Sequence, residues 1–178
     1  MNAEFSRTIS IDTIGGVKRT VSIEADTAER AALAERFGLA AIDSLSADVT
    51  LSRADGPIAV TGTVRADVVQ SCIASGLPVP AHVDESFAIA FHPQPERGGE
   101  EEIELDAGDM DVVFYEGGAI DIGEAASETL SLALDPYPRA PEADAMLREV
   151  GVRHEADVEA ERRAEAEARS PFAVLRKN

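Results

Sequence analysis

The most reactive side chains of this chain are one cysteine and three histidines, and they stand apart in the sequence. Cys72 is the sole cysteine, and the nearest histidine, His82, opens a later strand pattern. A nucleophilic cysteine needs a base within hydrogen-bond reach and a lowered pKa. Because a single cysteine at the end of a strand is more often a small buried side chain, we expect Cys72 to be structural. A thiol enzyme is the less favoured alternative.

Metal chemistry and carboxylate catalysis are also disfavoured by the spacing. The histidines are His82, His92 and His154. None stands at ligand spacing from another histidine or from Cys72, and a structural zinc ion takes four nitrogen or sulfur ligands. No pair among the 34 acidic residues stands out as a general acid and base. The sequence therefore predicts no metal, no cofactor and no enzymatic activity.

Charge is the most unusual property of the composition. The chain carries 34 acidic residues against 16 basic ones, a formal net charge of −18. Nucleic-acid affinity depends mainly on Lys and Arg side chains that neutralise phosphates, so this charge favours a basic partner over a nucleic acid. The alternative is that the acidic residues serve solubility alone. An acidic run over residues 96–111 lacks the register of a calcium loop, and its candidate partner-binding residues are Glu100, Glu101, Glu102, Glu104 and Asp106.

Alternating polar and apolar residues predict the strands that would position these side chains. The expected strands are residues 5–11, 17–25, 45–52, 58–68, 83–91 and 111–115, with a break at residues 75–80. The first two strands and the next two are expected to pair as hairpins. Gly62 inside a strand predicts a bulge or a sharp coil of the sheet. Strict alternation is typical of antiparallel strands with one dry face, so we expect an α+β fold with a coiled antiparallel β-sheet or partly open β-barrel.

Two helices are predicted, and the second is the best delimited element of the chain. The first is expected over residues 28–37, and the second begins at Asp121. Glu124 follows three residues later and completes a capping-box pattern. Pro136 and Pro138 end the helix, since proline has no N–H to donate and restricts the residue before it. This helix follows the last predicted strand in the sequence, and its apolar stripe is expected to pack against the sheet.

The sequence changes character after Pro141. We expect one α+β domain over residues 1–141 and a charged, helical and mobile tail over residues 142–178. The tail ends in an apolar plug with a basic end, expected to dock in a groove of this chain or of a partner. The N-terminus lacks a signal-peptide pattern and no apolar run approaches about 18 residues, so a cytoplasmic protein is expected. The candidate partner-binding residues of the plug are Pro171, Phe172 and Leu175.

Four stretches of the chain form an ordered set of motifs. They are residues 60–79 around Cys72, residues 83–91, residues 120–138, and residues 170–175. In this order they resemble the YceD-type family of large ribosomal RNA subunit accumulation proteins. The resemblance implies a bacterial, cytoplasmic factor needed for normal accumulation of large-subunit rRNA, with no established catalytic residues. The motif positions in this sequence are Cys72, Asp121, Glu124, Glu128, Pro136 and Pro138.

The chain departs from the family pattern around its cysteine. Many members have a second cysteine soon after the first and a further Cys or His after the two prolines. Ser75 and Arg139-Ala140 stand at those places here. The chain is therefore similar to the branch with a single cysteine in this turn, and no metal role is carried over.

The leading hypothesis is a non-enzymatic ribosome-biogenesis factor of the large subunit. It would act through a basic protein, a ribosomal protein or an assembly factor, and would meet rRNA indirectly. One alternative is a direct RNA-binding protein that uses Arg19, Arg53 and Arg65 on one sheet face. Another is a generic acidic adaptor for protein interactions.

Overall fold

The computed structural model describes residues 4–53, 56–94, 110–153 and 155–169. Within these residues the chain has seven strands and four α-helices, which confirms the α+β class. The strands are β1 (Thr8–Ser10), β2 (Arg19–Glu24), β3 (Ala41–Ser52), β4 (Ile58–Ser71), β5 (Pro78–Pro93), β6 (Asp111–Tyr115) and β7 (Ala119–Asp121). The helices are α1 (Thr27–Phe37), α2 (Ile122–Ala133), α3 (Ala143–Glu149) and α4 (Glu155–Arg169).

Five strands form one open sheet in the order β2-β3-β4-β5-β6. Every neighbouring pair in it is antiparallel except the last, because β6 runs parallel to β5 from Asp111, opposite Ile89, to Tyr115, opposite Pro93. A parallel pair needs a long crossover connection, and residues 94–110 provide the length. The sheet is thus mixed, and the open rather than closed form of the predicted architecture is confirmed.

One face of this sheet is dry and carries the core. Alternate side chains of β3, β4 and β5 are buried there, together with Leu33 of α1 and Ile122, Ala126 and Leu130 of α2. Both helices therefore cover the same face. Asp26 begins α1 with the full capping box that its sequence favours, and Gly38 ends it in a left-handed conformation with φ 65°. The predicted helix over residues 28–37 is confirmed.

The strand pair β4–β5 is longer than its pattern predicted. It runs in unbroken register from Ile58, opposite Phe91, to Ser71, opposite Pro78. The prediction of a break at residues 75–80 was wrong for its second half, since β5 begins at Pro78. Gly62 causes no bulge: it is paired with Phe87, and a Cβ atom here would lie 2.7 Å from the Phe87 ring. The glycine makes room for an aromatic ring that covers the strand backbone.

The first predicted hairpin was wrong. β1 does not pair with β2 but forms a separate two-stranded sheet with β7, from Thr8 opposite Asp121 to Ser10 opposite Ala119. β2 instead pairs with β3, where the hydroxyls of Thr20 and Thr50 lie 3.0 Å apart. Of the strand predicted over residues 5–11, only Thr8–Ser10 form β1, because a 3-10 turn begins at Ile11. Its alternation also indicated a face of the strand but not its partner.

Candidate functional site

Asp121 joins the start of α2 to the N-terminal strand. Its side chain caps the helix by accepting hydrogen bonds from the backbone N–H of Gly123 at 3.0 Å and of Glu124 at 3.2 Å. It also accepts from the backbone N–H of Arg7 at 2.8 Å and from the hydroxyl of Ser6. The predicted cap is confirmed, and its carboxylate holds a segment more than 100 residues away in the chain.

Gly123 allows the same N-terminal segment to lie directly on the helix. A Cβ atom at this position would be 2.5 Å from the carbonyl oxygen of Phe5 and 2.9 Å from the backbone nitrogen of Arg7. Phe5 is fully buried in the core. The contact therefore seats an aromatic core residue against the first turn of α2, and only a residue without a Cβ fits between the two backbones.

Glu124 binds an arginine of α1 instead of completing the predicted capping box. Arg36 donates to both of its carboxylate oxygens, at 2.7 and 3.1 Å, and reaches Glu4 at 3.0 Å. A second arginine, Arg7, binds both carboxylate oxygens of Glu29 at 2.6 and 2.9 Å. This hydrogen bond is the main reason that the pKa of Glu29 is lowered from its ordinary value. The two bidentate pairs tie α1, α2 and the N-terminal segment together.

Cys72 lies in the turn between β4 and β5, against the chain that follows α2. It is buried beside Ala140 and Ala143, as expected for a structural cysteine. The hydroxyl of Ser75 and, to a smaller extent, the backbone N–H of Ala140 lower the pKa of Cys72 to about 7. The backbone N–H of Ile73 donates to the carbonyl of Pro138 at 3.0 Å. This hydrogen bond connects the turn to the segment that follows α2.

No imidazole lies beside the Cys72 thiol in the part of the chain that the structure describes. The side chain of His82 is hydrogen-bonded at 2.8 Å to Asp67, and His92 lies against Phe114. Across the same residues, no group of three or more His, Cys, Asp or Glu side chains is placed to hold a metal ion. Among the helices described there, none is long and apolar enough to cross a membrane.

Two of the three arginines proposed for RNA binding, Arg19 and Arg65, lie on opposite faces of the sheet. Arg19 is paired with the core residue Leu51 and so lies on the helix-covered face of the sheet, at its edge. Arg65 lies on the open face, where its guanidinium is 2.9 Å from Asp48 and 3.9 Å from Asp84. Arg19 and Arg65 therefore do not form one basic patch.

A cavity of about 250 Å³ lies between β5, β6, β7 and the first turns of α2. We call it the α2 cavity. Apolar and aromatic side chains of the sheet line its inner part, and carboxylates line the side toward α2 and the turn before β7. The inner residues are Ile89, Phe91, Val113 and Tyr115, and the carboxylates are those of Glu116, Asp121, Glu124 and Glu128.

The α2 cavity brings together three of the motif residues, Asp121, Glu124 and Glu128. Their spacing places them on one helix, but it does not indicate the cavity, because the opposite wall comes from strands whose parallel pairing was not predicted. The other three motif positions lie elsewhere: Cys72 and Pro138 belong to the turn described above, and Pro136 is exposed in the chain after α2. The predicted partner-binding residues lie outside the described part of the chain. These are Glu100, Glu101, Glu102, Glu104, Asp106, Pro171, Phe172 and Leu175.

The fold and site define an acidic α+β protein with an open mixed sheet, two helices on one face and an acid-lined cavity beside the second helix. The model of the family "Large ribosomal RNA subunit accumulation protein YceD" matches residues 60–177, and the chain belongs to this family. The resemblance drawn from the motifs is thereby confirmed. No curated protein and no solved structure matches the chain.

The matched residues begin within β4 and include α2 with its motif. β1, β2, α1 and β3 precede them. Gly123 and Glu124, inside the matched range, nevertheless contact Phe5 and Arg36 outside it. The N-terminal elements are therefore packed onto the family motif. The family name links the chain to accumulation of the large ribosomal subunit.

Proposed function

We propose that this protein promotes accumulation of 23S rRNA and the large ribosomal subunit as a non-enzymatic, cytoplasmic assembly factor. It binds a basic protein, either a ribosomal protein or another assembly factor, and meets the rRNA only through that partner. Membership of the family supports the ribosomal part of this proposal. The charge of the chain supports the choice of partner.

The observation that carries the choice of partner is the state of the arginines. Within the described residues, five arginines form ion pairs with carboxylates of this chain: Arg7, Arg36, Arg65, Arg139 and Arg153. The neighbouring carboxylate offsets part of the positive charge of each of these guanidinium groups and so weakens its attraction for a phosphate. With a net charge of −18, the field around the protein repels RNA and attracts basic proteins.

Affinity capture of the tagged full-length protein from its own cells tests the proposal. A deletion strain should contain less 23S rRNA relative to 16S rRNA, and the tagged protein should restore the ratio. The capture should recover a basic ribosomal protein or assembly factor, and the recovery should survive ribonuclease treatment, because the contact is between proteins. Higher salt should weaken it, since screening reduces charge attraction.

Two results would contradict the proposal. A deletion strain with normal 23S rRNA and normal subunit profiles would remove the ribosomal function. Tight binding of the purified protein to protein-free 23S rRNA that persists at high salt would remove the basic protein partner and favour direct RNA binding.

A further inference from the structure

The α2 cavity combines an apolar interior with carboxylates of two kinds. Asp121 and Glu124 are engaged within the chain, one as the helix cap and the other with Arg36. Glu116 and Glu128 are exposed, and neither has an ion pair or hydrogen bond through its side chain to the rest of the described chain. Two carboxylates of the cavity are therefore available to a positive group from outside.

The interior of the cavity suits the stem of a long side chain. Ile89 and Phe91 are 6% and 5% exposed and form the part nearest the core. Val113 and Tyr115 are partly buried and pack against the core from β6. An arginine or lysine covers apolar surface with its methylene groups and keeps its charged end at the edge. A cation held near an aromatic ring such as that of Tyr115 is also attracted to the ring.

The size and position of the cavity favour one side chain of a larger partner. Its volume of about 250 Å³ is below the range of about 300–1,000 Å³ typical of small-molecule sites. β6 is the last strand of its sheet and is paired only with β5 among the described strands. An extended segment along the edge of β6 that no described strand covers would present alternate side chains toward the cavity.

We propose that the α2 cavity binds an arginine or lysine side chain from an extended segment of the basic partner protein. The stem of this side chain contacts Ile89 and Val113, and its charged end pairs with Glu116 and Glu128. The inference rests on the proposed function, since it places the docking site of that partner. It makes Glu128 the partner-binding residue of the motif over residues 120–138, which we call the α2 motif.

Titration of the ¹⁵N-labelled full-length protein with a short peptide tests the inference directly. The probe is acetyl-Ala-Arg-Ala-amide, and the control is the same peptide with citrulline, which has the shape of arginine without its charge. The arginine peptide should shift the amide signals of Val113, Tyr115 and Glu128, and the citrulline peptide should shift them much less. Glu128→Gln and Glu116→Gln should each raise the dissociation constant about two- to five-fold, the range for one exposed ion pair.

Glu85→Gln is the matched control. This exposed carboxylate lies on the same sheet but lines a different pocket, at the other end of α2. It should leave the dissociation constant unchanged. Equal binding of both peptides, equal effects of Glu85→Gln and Glu128→Gln, or shifts confined to other residues would each overturn the inference.

The C-terminal segment of this chain is the competing occupant. If Arg176→Glu with Lys177→Glu changes the amide signals of the cavity before any peptide is added, that segment occupies the cavity and the inference is wrong.

The failures of the two proposals are distinguishable in cells. If Glu116→Lys with Glu128→Lys still restores 23S rRNA and captures the partner as the wild type does, the cavity is not the docking site, but the proposed function stands. If the wild type itself has no effect on 23S rRNA, the proposed function fails whatever the peptide binds.

Discussion

The glycine in the first turn of α2 provides the sharpest test of how the family motif works. An exposed helical glycine replaced by alanine gains about 0.8–1.0 kcal/mol from helix propensity. Gly123→Ala should instead destabilise the protein, because the added Cβ would lie 2.5 Å from the Phe5 carbonyl oxygen and 2.9 Å from the Arg7 nitrogen. Both are backbone atoms, so no change of side-chain rotamer relieves the overlap.

The loss of stability in Gly123→Ala depends on whether the N-terminal segment shifts slightly or detaches from α2. A small shift of the two backbones costs about 1–3 kcal/mol, the range for overpacked cores. Detachment of the segment would expose Phe5, which is fully buried, and truncating a buried Phe costs about 3–5 kcal/mol. After the propensity gain is subtracted, we expect the free energy of unfolding to fall by about 2–4 kcal/mol if the segment detaches.

Urea denaturation followed by far-UV circular dichroism measures this free energy, since the chain has no tryptophan. Gly118→Ala is the matched control: nothing lies within 4 Å of its would-be Cβ, and it should change stability by less than about 0.5 kcal/mol. In the double variant Phe5→Ala with Gly123→Ala, the two costs should not add, because each removes the same contact. Two results would refute this explanation. One is a Gly123→Ala protein that is more stable than the wild type, as helix propensity alone predicts. The other is a double variant whose loss of stability equals the sum of the two single losses.

Three further predictions concern the cap, the sheet and the thiol. Asp26→Ala removes a purely local cap and should lower the free energy of unfolding by about 0.5–2 kcal/mol. Asp121→Ala should lower it by more, because Asp121 also holds the N-terminal strand. Equal losses in urea denaturation would contradict this. Gly62→Ala should lower stability by about 1–3 kcal/mol, since its Cβ would lie 2.7 Å from both a backbone carbonyl oxygen and the paired aromatic ring; an unchanged thermal midpoint would count against it. The thiolate absorbance of Cys72 should titrate near pH 7, and Ser75→Ala should raise this pKa toward its ordinary value.

Ionisation of the Cys72 thiol should make the free energy of unfolding depend on pH. The pKa of Cys72 is lower in the folded protein than its ordinary value, to about 7. The unfolded chain therefore binds more protons above that pH, and the stabilising contribution of the thiolate grows as pH rises from about 7. It is lost as pH falls through the folded pKa. Cys72→Ala should flatten this part of the pH profile, and an unchanged slope would contradict the assignment.

Local sequence signals predicted the parts of the fold whose stabilising contacts are local. The caps at Asp26 and Asp121 bond backbone groups two and three residues away, so their types and spacing were sufficient. The β3–β4 hairpin followed from alternation around one short turn, and Gly62 was correctly recognised as special, although its role is close packing and not a bulge.

Pairings between distant segments were not predictable in the same way. The pattern of residues 5–11 indicated a strand with one apolar side, but its partner β7 is more than 100 residues away. The direction of β6 depends on a crossover that carries no strand pattern. The α2 cavity requires both β6 and α2, so its residues could be recognised individually as motif or strand residues but not as one site.

Some residues of the α2 motif contact other parts of the chain, whereas one is exposed and can bind a partner. Variants of the two kinds should therefore affect stability and binding separately. Asp121, Gly123 and Glu124 all contact the N-terminal segment or α1, so their variants should unfold the protein more easily. Glu128, one helical turn further on, is exposed and has no such contact in the described chain. A motif needed only for folding gives no reason for an acid at that position. If Glu128→Gln keeps full stability and still weakens partner capture, the carboxylate acts in binding. If Glu128→Gln changes neither stability nor partner capture, the motif serves packing alone and the docking surface lies elsewhere.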